Sequence, residues 1–270
     1  MNGLAHQTGA PRTLHPSGQE SPRARCRDGK TLIGGGARIT GGGGGAISSI
    51  YPLTPGASGN WVANIYNAGH RDLRVRANAV CAGPSFAEGI NPVRSSGDVG
   101  APSASTTMTA DCFLGDLALG GGGANSASSP PWATLTGSRP VDGVDADNDP
   151  GDAWEVRVDN LSASPPNLFV AADVLCAPSA QIEPHIRVIS SLERARAGET
   201  RTVTADCVRG ATMVSGGYWS TAGYGESEPQ LSALEAENTQ GERIRDSWEV
   251  RIRNISATRI DVLAYGLCAR

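Results

Sequence analysis

The stretch "DSWEVRIRNISA" (246–257) places Trp248, Val250 and Ile252 on one side and Glu249, Arg251 and Arg253 on the other. Alternation with period two is the pattern of a half-buried β-strand. Nearly the same phrase, "DAWEVRVDNLSA", occupies 152–163, and a more divergent relative, "WVANIYN", occupies 61–67. The surroundings recur too. "CRDGKTLIGGG" (26–36), "CFLGDLALGGG" (112–122) and "CVRGATMVSGG" (207–217) align without gaps. Each unit closes on an alternating strand ending in Cys-Ala: "ANAVCA", "ADVLCA" and "AYGLCA". The chain is therefore a threefold repeat, with units at 26–82, 93–177 and 188–270 in one β domain.

Each unit reads as four strands, and lead-ins such as "VRSS" and "VISS" precede units two and three. About twelve antiparallel strands in three equivalent sheets predict an all-β, β-prism-like body with pseudo-threefold symmetry. A trefoil would call for shorter repeats. Trp61, Trp154 and Trp248 share the apolar side of their strands, so they are expected in the core. The Asn that ends each strand suits a turn.

Aromatics are only 5% of the 270 residues, so the core must be built largely from aliphatic side chains. The net charge of −4 and the absence of a basic stripe argue against nucleic acid as a partner. No stretch is apolar for long enough to form a membrane helix. Residues 1–25, "MNGLAHQTGAPRTLHPSGQESPRAR", read as a disordered polar arm without the apolar run of a secretory signal. Six cysteines point the other way, to an oxidising compartment and a secreted or extracellular protein. One cysteine opens each unit and one closes it. The repeat selects Cys26–Cys81, Cys112–Cys176 and Cys207–Cys268 from the pairings open to six cysteines.

Three glycine-rich β repeats with a cysteine framework resemble the vitelline membrane outer layer proteins, which are three-sheet β-prisms. The resemblance lies in architecture and repeat style, and it carries no functional residues over. The "CxxGxxxxGGG … W … N … CA" unit is also similar to repeats of exported actinobacterial and phage-tail proteins, over about 26–268.

Several stretches invite a functional reading. "IGGGARITGGGGGAISS" (33–49) lacks the Gly-Lys-Ser/Thr and the following helix of a phosphate loop, and reads as a hairpin or bulge. Tyr51, Trp132, Tyr218, Trp219 and Tyr224 lie beside Pro, Gly and Ser, where exposed rings could stack on a sugar. In "DGVDADNDPGDAW" (142–154), Asp145, Asp147, Asp149 and Asp152 offer oxygen ligands suited to Ca²⁺, although the spacing departs from an EF-hand loop. Glu155 and Glu249 face outward on equivalent strands and are the carboxylates a polysaccharide-active enzyme would need. None of His6, His15, His70 and His185 recurs in the repeat, and no GxSxG or HExxH motif occurs. "NLS" (160–162) and "NIS" (254–256) match the N-glycosylation sequon but read equally well as Asx turns. The leading expectation is a non-enzymatic module that binds a glycan or cell-surface polymer. The alternatives are an assembly component of an envelope or phage tail, and a polysaccharide-active enzyme.

Overall fold

The computed structural model describes residues 4–27, 29–41, 44–54, 59–83, 89–99, 104–125, 133–143, 151–161, 168–182, 186–222, 227–228 and 247–269. Its regular structure is β throughout, apart from the four-residue helix α1 (Ser179–Ile182).

Unit one holds β5 (Thr31–Gly41), β6 (Gly45–Thr54), β7 (Asn60–Asn67) and β8 (Leu73–Ala82). Unit two holds β9 (Asn91–Val99), β10 (Ser105–Asp111), β11 (Asp116–Asn125), β12 (Ala133–Val141), β13 (Ala153–Asn160) and β14 (Leu168–Pro178). Unit three holds β15 (Ile186–Ala195), β16 (Thr200–Asp206), β17 (Thr212–Ser220), β18 (Ser227–Glu228), β19 (Ser247–Asn254) and β20 (Ile260–Ala269).

Among the described residues of the segment expected to be a disordered arm (1–25), 4–25 are not disordered. They carry β1 (Ala5–Thr8), β2 (Arg12–Leu14), β3 (Gln19–Glu20) and β4 (Arg23–Arg25). β1 and β2 pair with β8, and β3 and β4 pair with β7. In unit two the lead-ins β9 and β10 pair with β14 and β13 in the same way. In unit three β15 and β16 pair with β20 and β19. The N-terminal segment is thus the lead-in of unit one. Its ladders need only backbone groups, so a polar sequence can supply them. Leu14 and Ala24 are its buried anchors.

The sheets do not respect unit boundaries. The seven-stranded sheet runs β3-β7-β6-β11-β14-β9, with β4 also on β7, so it joins strands of unit one to strands of unit two. The six-stranded sheet runs β10-β13-β12-β17-β20-β15 and joins unit two to unit three in the same strand roles. The remaining strands form a four-stranded sheet (β1, β2, β5, β8) and a three-stranded sheet (β16-β19-β18).

The glycine-rich strands meet at the centre. Register shifts occur at Leu32/Gly34, Ala118/Gly120 and Met213/Ser215, one equivalent β-bulge in each unit. The bulged residues Ile33, Leu119 and Val214 are fully buried. A Cβ on Gly34 would lie 2.8 Å from Ser215 Cβ, and one on Gly120 would lie 2.6 Å from the Ile33 carbonyl oxygen. The next glycine in each run, Gly35, Gly121 or Gly216, lies against the indole of Trp61, Trp154 or Trp248. All three tryptophans are at 0% exposure, as the alternation predicted. Buried residues of all three units belong to one apolar cluster.

The disulfides are Cys26–Cys81, Cys112–Cys176 and Cys207–Cys268, with Cα–Cα separations of 5.6, 5.7 and 5.6 Å. They are the pairs the repeat selected. Disulfides of this kind are typical of extracellular proteins. No helix among the described residues is long and apolar enough to cross a membrane.

Candidate site on the six-stranded sheet

A polar-aromatic cluster forms around the sequence candidate Trp219. β17 pairs with β12 so that Trp219 sits opposite Gly137, and β12 pairs with β13 so that Arg139 sits opposite Glu155. Gly137 has no side chain, and a Cβ there would come within 2.4 Å of Trp219 Cε3. The indole therefore lies over bare backbone. The Arg139 guanidinium carbon is 3.9 Å from the ring centroid and that of Arg157 is 4.8 Å away. Both are cation–π distances.

Each arginine is fixed by a second set of contacts. Arg139 Nε donates to Glu155 Oε1 at 2.8 Å, and its Nη1 donates to the Tyr265 hydroxyl at 3.4 Å. Arg157 Nε donates to Thr136 Oγ1 at 3.0 Å, and its Nη2 donates to Ser220 Oγ at 3.2 Å. Burial works against the charge of Arg139, but its hydrogen bonds to Tyr265 and Glu155 outweigh burial and raise its pKa. Burial dominates at Arg157 and lowers its pKa, despite Asp159 nearby. Asp159 is itself held by the Ser105 and Thr136 hydroxyls. The cluster presents guanidinium, phenol and indole groups in fixed positions on one sheet face. Glu155 is engaged by Arg139.

The other sequence candidates are scattered. Tyr218 is not an exposed platform. Its strand turns it inward, it is at 0% exposure, and its hydroxyl donates to the Leu135 carbonyl at 2.6 Å. Burial raises its pKa well above the usual phenol value. Beside Pro, Gly and Ser it looked like a loop residue, but the strand extends through it. Tyr51 is half-buried on β6 in the seven-stranded sheet. Arg94 bridges Asp173 there at 2.7 and 3.0 Å. Tyr51 and Trp219 therefore lie on different sheets and do not form one site. Trp132 and Tyr224 lie outside the described residues.

Of the acidic loop, Asp145, Asp147 and Asp149 also lie outside the described residues. Asp152 is placed, and its Oδ1 accepts from the Gly143 amide, which ties the two ends of that loop. Among the described residues no group of three or more His, Cys, Asp and Glu side chains could hold a metal ion.

The Asx-turn reading of the strand-end asparagines holds. Asn254 donates to the Ala195 and Thr258 carbonyls and accepts from the Ser256 amide. Asn67 makes the matching set with Leu14, Arg71 and Gly69. Asn160 and Asn254 are both at 0% exposure, and the Asn254 sequon serves the turn. Sequence reading missed Arg139, which lies over Trp219, and Tyr265, whose hydroxyl accepts from Arg139. Each is brought there by cross-strand register, which the sequence does not print.

No protein-family model matches the chain, and comparison with curated proteins finds no match.

Proposed function

We propose that the chain is a secreted, three-repeat β-prism that binds a carbohydrate or cell-surface polymer through its outer sheet faces, without acting on it as an enzyme. The prism reading is supported by the equivalent bulges and by the contact of Gly34 and Gly120 with Ser215. One observation carries the binding reading. Twelve residues after the first cysteine of each unit, the three glycine-rich strands present Arg38, Ala124 and Trp219, each half-buried. Inward positions repeat and outward positions diverge. A disulfide-braced scaffold with three different faces suits recognition better than a shared structural role.

Retention on insoluble polysaccharides and whole cell walls tests this reading, with and without Ca²⁺ and with the supernatant assayed for released sugar. The expected result is selective retention, no release, and weaker retention for Trp219→Ala. Loss of retention in EDTA would place Ca²⁺ at Asp145, Asp147, Asp149 and Asp152. Release of sugar that stops in Glu155→Gln or Glu249→Gln would replace the proposal with an enzyme.

A second reading, an assembly component, is favoured by the tip of the β10–β11 turn. Phe113 and Leu114 are 66% and 90% exposed there, next to the half-buried Cys112 of a disulfide. Apolar side chains held out on a braced turn suit docking. Concentration-dependent oligomers that disappear in Phe113→Ser/Leu114→Ser would support it.

A further inference from the structure

The face of the four-stranded sheet carries a different chemistry. β5 and β8 pair antiparallel with Arg38 opposite Arg76 and Thr40 opposite Arg74. Period two puts Arg38 and Thr40 on one face of β5, and Arg74 and Arg76 on the same face of β8. On its other edge, β8 pairs with β1 and β2, and the chain leaves the ladder between them at Gly9–Pro11. Pro11 then stands as a wall beside the arginines. Together Pro11, Arg38, Thr40, Arg74, Val75 and Arg76 line a cleft of about 300 Å³. That is the lower end of the size range of small-ligand sites.

Three arginines line this one cleft in a chain whose net charge is −4. Arg38 lies directly opposite Arg76 across the strand pair, so one face of the cleft is lined by like charges. Guanidinium forks match the geometry of carboxylate, sulfate and phosphate oxygens. We propose that the Arg38–Arg74–Arg76 cleft is an oxyanion-binding site, and that the oxyanion is a sulfate or carboxylate group of an acidic polysaccharide. The polymer half of this statement rests on the carbohydrate-binding reading; the oxyanion half does not.

Titration calorimetry on the full oxidised chain tests it with dextran sulfate, neutral dextran and sodium sulfate. Dextran sulfate binds and neutral dextran does not, sodium sulfate competes, and affinity falls as salt rises. Arg74 is exposed, so Arg74→Gln keeps the fold, as its melting temperature verifies, and weakens binding about tenfold through loss of one charged contact. Arg74→Lys keeps part of the affinity. Arg209→Gln, on an exposed turn elsewhere, changes nothing. Binding of sulfate without binding of dextran sulfate supports the cleft and removes the carbohydrate-binding reading. Two results overturn the proposal: no binding of either anion, or binding unchanged in both Arg74→Gln and Arg38→Gln.

Discussion

The seven-stranded and six-stranded sheets are built by the same rule and dressed differently. Inside, Gly121 backs Trp154 and Gly216 backs Trp248. Outside, Ala124 on β11 occupies the position that Trp219 holds on β17. The seven-stranded sheet pairs Arg94 with Asp173, whereas the six-stranded sheet has Arg139 between Glu155 and Tyr265. Packing fixes the inner face because an added methyl there has nowhere to go. The outer face answers only to water and to whatever the protein meets.

If the inner framework is equivalent, breaking it in each unit must cost about the same. Replacing Cys112 and Cys176 with Ser removes a bridge of sequence separation 64, and the other two span 55 and 61. Each loss is expected to cost about 4 kcal/mol in the chain-entropy picture, measured by urea unfolding. Unequal losses would break the comparison. Gly121→Ala and Gly216→Ala come next. Each Cβ would lie 2.3 Å from an indole carbon, and each variant is expected to lose about 3 kcal/mol.

The tryptophans sharpen the comparison, because here the units differ. Trp154 Nε1 donates to Ser138 Oγ at 2.9 Å, whereas Ile50, opposite Ala63, stands where Ser138 would be in unit one and buried Trp61 Nε1 has no hydrogen-bond partner among the described residues. Trp154→Phe should therefore cost about 1 kcal/mol more than Trp61→Phe, since it strands the Ser138 hydroxyl. Equal costs would mean that the bond contributes nothing. Outside, Arg139→Gln should lower stability by only about 1 kcal/mol, the scale of a partly exposed cation–π contact.

The smallest effect is a pH dependence of the seven-stranded sheet. Burial raises the pKa of Asp173 above the usual carboxylate value, although Arg94 pulls it down. Between the usual value and the raised one, the folded protein keeps a proton that the unfolded chain has lost. Stability contributed at this position therefore falls as pH rises through that window. Asp173→Asn should gain on the wild type as pH rises from about 4, the usual carboxylate value, and a constant difference would contradict the burial argument.

The β class and all three disulfides were legible because each is written in residue types that recur: Cys, Gly-Gly and alternating Trp-x-Val-x-Val. The lead-in of unit one was not legible. Its strands, such as "RTL" and "RAR", are short, polar and broken by Gly9 and Pro11. They are held by backbone ladders that leave little trace in composition. The outer faces were legible only residue by residue. Trp219 could be picked out as an aromatic, but its neighbours Arg139 and Arg157 come from strands far away in sequence. Tyr218 was misjudged because two adjacent aromatics in one strand must face opposite ways, and only one of them meets solvent.

Sharing two of the four sheets between consecutive units has a consequence for any unit taken alone. One unit alone carries halves of two different sheets and completes neither. Three separate copies could complete one another's sheets by exchange of the same edges. A chain of one unit would therefore leave bare the strand edges that its neighbours cover here, and bare edges of that kind invite pairing between chains.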